Sequence, residues 1–304
     1  MNSMTQQGTE SRSAAPGTAQ LVGYFQLLRP ANLVTSGADV VTGWVIVGAP
    51  IHTLVWPLLA SVGMYGGGVV LNDFFDRHLD AVERPERPIP SGLITAWSAA
   101  SLGAVLIAAA LVCGFLSSTL TGFLCVAIAV AVLAYDGGLK HHAAGPLLMG
   151  SCRGLNLLLG LSAAPALLGS LWFLSLISFA YVCGITLLSR GEVHGGERRE
   201  SIFAMALISL AVLALLALSS TSGQHLLTVV PFVALWMLKA GLPLWRAVRV
   251  PRAAEIRTAV HAGVVSLIVL DASLAASYAG LVRGAAILSL SVLAGELARL
   301  FAVT

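Results

Sequence analysis

Charge is what this chain has least of. Asp, Glu, Lys and Arg make up 10% of its 304 residues, against ~25% in soluble domains, and this excludes a soluble globular protein. Cysteine is scarce too. Cys113, Cys125, Cys152 and Cys183 lie in apolar segments without paired spacing, which excludes a disulfide framework or a Cys–His metal module and leaves them as packing residues. Residues 1–20 lack the basic start and apolar core of a signal peptide, so they read as a retained, disordered tail. No P-loop, dinucleotide fingerprint or nucleophile motif is present, and no length is left for a soluble catalytic module to carry one. No nucleic-acid partner is expected.

What is present is apolar sequence, 57% of the chain, in runs long enough to cross a bilayer. Candidate spans are 33–49, 54–76, 93–116, 118–136, 146–168, 171–188, 202–220, 225–245, 258–281 and 284–303. The expected fold is all-α: a polytopic transmembrane bundle of nine to ten helices formed by residues 21–304. The connectors after spans 1, 3, 5 and 7 contain no Lys or Arg. Those after spans 2, 4, 6 and 8 and their flanks hold Arg77, Arg84, Arg87, Lys140, Arg190, Arg198, Arg199, Arg246, Arg249, Arg252 and Arg257. The positive-inside rule then places the N-terminus and the even-numbered connectors on the cytoplasmic side of a cell membrane, with Arg283 as the exception.

One stretch breaks the apolar pattern: VVLNDFFDRHLDAVERPERPIPSG, from Val69 to Gly92. On a helix, Asn72, Asp76 and Asp80 stack on one face at i, i+4 and i+8, with Asp73 at its edge. Unpaired carboxylates so close repel one another, so the pattern points to a hard cation. Mg²⁺ takes one or two carboxylates and completes its shell with water and substrate phosphate oxygens. The preceding Gly63, Gly66, Gly67 and Gly68 need no ligand to explain them, since small residues let a neighbouring helix approach. Asp39, Arg153, Asn156, His261 and Asp271 are polar groups inside spans. Such groups face a cavity or a polar partner, and Arg153 and Asn156, one turn apart, favour the cavity.

NDFFDRHLDAVERPERPIPSG resembles the first aspartate-rich motif of the UbiA superfamily of intramembrane prenyltransferases, NDxxDxxxD followed by an Arg-Pro-rich segment ending in Pro-Ser-Gly. The resemblance implies a ring of nine transmembrane helices around a central cavity open sideways to lipid. It implies that Asn72, Asp73, Asp76 and Asp80 hold Mg²⁺ against an isoprenyl diphosphate donor, and that Arg77 and Arg87 contact its phosphates. Tyr135 and Lys140, in YDGGLK, resemble the family's Tyr-Lys segment, where the Lys faces the diphosphate. Asp73, Asp76 and Lys140 are then the catalytic candidates. Asn32, Tyr135, Arg153 and Asn156 join the arginines as substrate-binding candidates among membrane lipids. The reaction implied is transfer of a polyprenyl group to a small-molecule acceptor, an aromatic ring being one candidate.

The chain departs from the family at Ser189–Glu200, SRGEVHGGERRE, where a second aspartate motif is usual and no aspartate is present. Glu192 is the candidate to replace one carboxylate as a metal ligand. His194 is a poor choice for Mg²⁺. This string and the closing LARLFAVT are similar to the EboC-like branch of the superfamily. The altered motif keeps a second reading open, a non-catalytic protein that binds, carries or exports an isoprenoid or secondary metabolite.

Overall fold

The computed structural model describes residues 16–221 and 226–301, and these are helical almost throughout. The helices are α1 (Pro16–Leu28), α2 (Pro30–Val47), α3 (Val55–Phe75), α4 (Arg77–Glu83), α5 (Ala96–Ser117), α6 (Thr119–Asp136), α7 (Ala144–Leu161) and α8 (Pro165–Leu171). They continue with α9 (Ser175–Ser189), α10 (Arg198–Thr221), α11 (Leu226–Trp236), α12 (Leu242–Arg249), α13 (Ala253–Val265), α14 (Leu267–Ala279) and α15 (Leu281–Phe301). Among the described residues, 8 stretches are long and apolar enough to cross a membrane. The helices α2 and α7 match α6 at 18 residues each but carry Asp39, Arg153 and Asn156. This is the polytopic helical bundle expected from the composition.

Local chemistry sets the helix ends. Thr95 and Ser118 cap α5 and α6 by accepting hydrogen bonds from the backbone N–H groups of Ser98 (3.2 Å) and Thr121 (3.0 Å), satisfying donors that a helix start otherwise leaves open. Proline stands in the first turn of α2 and α8, where its missing N–H costs nothing. The boundary between the fifth and sixth expected spans shifts: the turn lies at 162–164, and residues 165–171, across the expected boundary at 169–170, are helical as α8. The segment is apolar enough to extend the membrane-spanning stretch 165–189. Helix α1 also begins inside the expected tail, at Pro16. Residues 1–15, the expected far-face His225 and the end of LARLFAVT lie outside the described residues.

Helices approach through glycine. A Cβ on Gly67 would lie 2.8 Å from the carbonyl oxygen of Gly103, and one on Gly160 would lie 2.1 Å from that of Val40. So α3 packs on α5, and α2 on α7, at backbone contact. The bundle runs α3, α5, α6, α7, α9, α10 and closes through α14 and α15 back onto α2. Helix α14 is the inner one: every residue from Leu267 to Ser277 is buried.

Candidate functional site

The acidic stretch begins where α3 ends. Helix α3 stops at Phe75, Asp76 takes φ −83° and ψ −1°, and α4 resumes at Arg77. Hydrogen bonds still link the N–H of Asp76 to the carbonyl of Asn72 (2.9 Å) and that of Asp80 to Asp76 (2.8 Å). The ladder therefore continues past the break, and the side chains of the motif fall in two rows. Asn72 and Asp76 face the end of α6, whereas Asp73 and Asp80, two turns apart, face the α1–α2 turn and the loop after α4. The single face expected at 72, 76 and 80 is thus replaced by two.

Each row has cationic partners. Asp73 Oδ1 is 2.6 Å from Arg29 Nη2 and 3.2 Å from Arg87 Nη1, and the same Arg87 nitrogen lies 2.7 Å from Asp80 Oδ2. Lys140 Nζ is ion-paired with Asp76 Oδ1. Asn72 Nδ2 donates to Asp136 Oδ1 at 2.8 Å. Arginine and lysine thus already neutralise three of these carboxylates. Two backbone features deliver these cations. Arg29 sits in the left-handed region at φ 49°, the only described non-glycine residue there, in the turn before Pro30. Gly138, at φ 130°, makes the turn after α6 that brings Lys140 back over Asp76, in a conformation side-chain-bearing residues rarely adopt.

Beneath this polar cap lies a cavity of about 300 Å³. Its walls include Met64, Val69, Ile128, Val132, Val182 and Ile185, with Arg29, Asn72, Tyr135 and Asp136 at the capped end. Ser61, Ser36, Thr35, Arg153 and Asn156 form a polar floor, three helical turns below Asn72, about 16 Å along α3 at 1.5 Å per residue. The floor is tightly bonded. Asn156 Nδ2 donates to Asp39 Oδ2 (2.8 Å) and to the carbonyl of Ser36 (2.8 Å), and the Ser36 and Ser61 hydroxyls are 2.7 Å apart. Arg153 Nε is 2.7 Å from Asp39 Oδ2, and its Nη2 is 3.6 Å from Asp271 Oδ2. Asp39 and Asp271 are bundle-interior partners of Arg153 and do not line the cavity.

The expected site residues therefore divide. Asn72, Asp73, Asp76, Asp80, Arg87, Tyr135 and Lys140 gather at the cap, and Arg153 and Asn156 at the floor. Three are not brought in. Arg77 donates to the Phe74 carbonyl at 2.8 Å and stacks 4.5 Å from the Phe74 ring centroid, because as the first residue of α4 it folds back on α3. Asn32 is half-buried in the first turn of α2 and does not line the cavity. Glu192 is half-buried beside Arg84 and Arg257; burial pushes its carboxyl above the usual range while the two arginines pull it down. Arg29, Asp136, Thr35, Ser36 and Ser61 are site residues that sequence reasoning passed over.

The donor set at the cap is hard oxygen, which suits Mg²⁺. Among the described residues no three His, Cys, Asp or Glu side chains form a group able to hold a metal. The cap fits a cation that takes one or two carboxylates and finds its other ligands on a phosphate.

Residues 40–257 match the UbiA prenyltransferase family. The chain is 33% identical over 215 residues to a digeranylgeranylglyceryl phosphate synthase of Methanothrix thermoacetophila, covering 62% of this chain and 77% of the relative. It is 29% identical over 223 residues to the synthase of the same name from Methanothermobacter thermautotrophicus, covering 70% and 78%. The fold is similar to that of a UbiA homologue from Aeropyrum pernix in its apo form, with TM-score 0.65 and 16% identity over 79% of this chain and 96% of that one. A UbiA homologue from Archaeoglobus fulgidus bound to GPP and Mg²⁺ aligns at TM-score 0.53 and 13% identity, over 88% and 99%. The similar proteins are digeranylgeranylglyceryl phosphate synthases, which gives the EboC-like placement no support.

Proposed function

The chain belongs to the UbiA prenyltransferase family, and from that premise we propose that it transfers a polyprenyl group to a hydroxyl of a glyceryl phosphate lipid. The observation that carries this reading is a cap of Arg29, Arg87 and Lys140, set among aspartates, over an apolar-walled cavity with a polar floor. An isoprenyl diphosphate fits that division, its charged end in the cap and its chain along the walls. As the bond from C1 to the diphosphate oxygen breaks, its electron pair leaves with the pyrophosphate. Lys140, Arg29 and Arg87 stabilise that charge where low dielectric makes each contact stronger than in water. The acceptor oxygen bonds to C1 and passes its proton to the departing pyrophosphate, while the walls keep water from the allylic cation. Asp76, with Asp73 and Asn72, would hold a Mg²⁺ ion that, when bound, neutralises leaving-group charge. The glyceryl phosphate acceptor rests on the names of the similar synthases. By the positive-inside rule, the basic connectors favour a cap on the cytoplasmic side.

The test is pyrophosphate release from geranylgeranyl diphosphate by protein in lipid, with and without Mg²⁺ and a prenylated glyceryl phosphate. Mg²⁺-dependent release lost in Asp76→Asn is the expected result. Full release by that variant would remove the metal assignment. Aspartates already paired with cations, and a Glu192 set beside Arg84 and Arg257, favour one other reading, a carrier. Donor binding without release, whatever acceptor is added, would establish it.

A further inference from the structure

Asp136 stands apart from the acids of the motif. Asp73, Asp76 and Asp80 each have a cationic partner, whereas no ion pair reaches Asp136 among the described residues. It is 5% exposed, and among the cavity-lining residues it is the one carboxylate. Its hydrogen bond comes from the neutral amide of Asn72, onto Oδ1, and Oδ2 receives none from the described residues. A carboxylate out of water without a cation in contact is costly; Lys140 is close enough to attract Asp136 but is ion-paired with Asp76. The loop that would bring a further acid to this cap does not do so: Glu192 lies beside Arg84 and Arg257, and His194 is exposed.

We propose that Asp136 is a divalent-cation ligand of this site, supplying from the end of α6 the carboxylate that Ser189–Glu200 does not bring. The proposal rests on the Mg²⁺-diphosphate reading above. Four carboxylates, Asp73, Asp76, Asp80 and Asp136, meet three cations at the cap, and the remaining negative charge is that of Asp136. The bond to Asn72 serves the same end. With Nδ2 turned to Asp136, the amide presents its own Oδ1 as a neutral oxygen donor beside that carboxylate.

Mn²⁺ is the probe, read as loss of the free-ion EPR signal when it binds purified protein in nanodiscs. Asp136→Asn keeps an acceptor for Asn72 and removes only the charge. It should weaken Mn²⁺ binding at least about tenfold, the lower end of what the loss of even an outer-shell partner costs, with a melting temperature no lower than the parent's. Undiminished Mn²⁺ affinity in Asp136→Asn, alongside its loss in Asp76→Asn, would overturn the proposal and leave the first motif's role intact. Undiminished affinity in both variants would overturn the metal reading itself. The same substitution in an Asn72→Ala background separates a ligand from a positioning group: a further loss of affinity is expected there, and none would show that Asp136 acts only through Asn72.

Discussion

Arg153→Met would strip from two buried carboxylates the one cation paired with them among the described residues. The Arg153 side chain is 8% exposed and those of Asp39 and Asp271 are 1% each, so water cannot take over its role. Breaking a buried ion pair by removing one partner costs ~3–5 kcal/mol, because the other charge stays buried. Helix-to-helix polar contacts in membranes measure less, ~0.6 kcal/mol on average, since the unfolded chain in lipid also finds partners. Here two acids on two helices, α2 and α14, lose one arginine on a third, α7, and the guanidinium also gives up its 2.9 Å bond to the Thr35 carbonyl. A loss of about 3 kcal/mol is expected. Asp39→Asn leaves Arg153 with Asp271 and should cost only about 1 kcal/mol. Replacing all three by Asn, Met and Asn removes every charge and should recover most of the Arg153→Met loss. The assay is thermal unfolding in lipid–detergent mixtures, followed by circular dichroism. If Arg153→Met were no less stable than Asp39→Asn, or the triple variant no better than Arg153→Met, the charge argument would be refuted.

Three further outcomes follow from the cap and from the connector that stays out of it. Lys140→Met should lower turnover about a hundredfold, the scale for losing a donor to developing charge, while Arg77→Ala, folded onto Phe74, should change it less than about threefold; equal losses would put Arg77 back in the site. Burial raises the Glu192 carboxyl above its unfolded value, so its neutral form is the one the fold favours, and stability is lost as pH rises from the ordinary carboxylate range through the raised value. Glu192→Gln should therefore melt higher relative to the parent at neutral than at acid pH, with an unchanged Mn²⁺ titration; a difference independent of pH would sink the assignment. Arg29→Gly and Arg29→Ala both lose the Asp73 contact, but only Ala keeps the left-handed strain, so Gly should be more stable by about 1 kcal/mol; equal melting temperatures would mean that the φ of 49° stores no strain.

The sequence was most informative where a property is local. Scarce charge and apolar run length are enough for a helical membrane bundle, and the Tyr135–Lys140 spacing led to a lysine that does reach Asp76. The polar pair Arg153 and Asn156 does line the cavity. Where the sequence misled, the deciding fact was not local. Asp73 meets Arg29 across 44 residues, and no periodicity reveals such a pairing. The helical wheel placed 72, 76 and 80 on one face, but eight residues carry a helix about 80° past a whole number of turns, whereas seven leave Asp80 about 20° from Asp73, with which it shares Arg87. Asp136 was hidden beside Tyr135 and Lys140, and its position at the last residue of α6, facing Asn72, was the signal available. Arg77 and Arg87 carry the same charge in the same connector. What separates them is that Arg77 begins a helix next to an aromatic ring, whereas Arg87 lies in a loop free to turn back over Asp73 and Asp80.

The pairing of the cap has a consequence that runs against simple intuition about an active-site lysine. Asp76 is held by Lys140, so a divalent cation alone must displace an ammonium group to reach it. On the proposed function a diphosphate changes that balance, because Lys140 would then gain phosphate oxygens as partners and release Asp76. Metal and donor should accordingly favour each other's binding, a coupling that must be reciprocal. Removing Lys140 does by mutation what the donor does by binding. Lys140→Met should thus hold Mn²⁺ more tightly than the parent, by roughly fivefold, as expected for a partly exposed pair worth about 1 kcal/mol, even though its turnover falls. A catalytic lysine whose loss tightens the metal and slows the reaction is a signature that neither a structural lysine nor a direct electrostatic opponent of the donor would produce. Weaker Mn²⁺ binding in Lys140→Met would mean that Lys140 supports the metal site as a whole and that the exchange of partners does not take place.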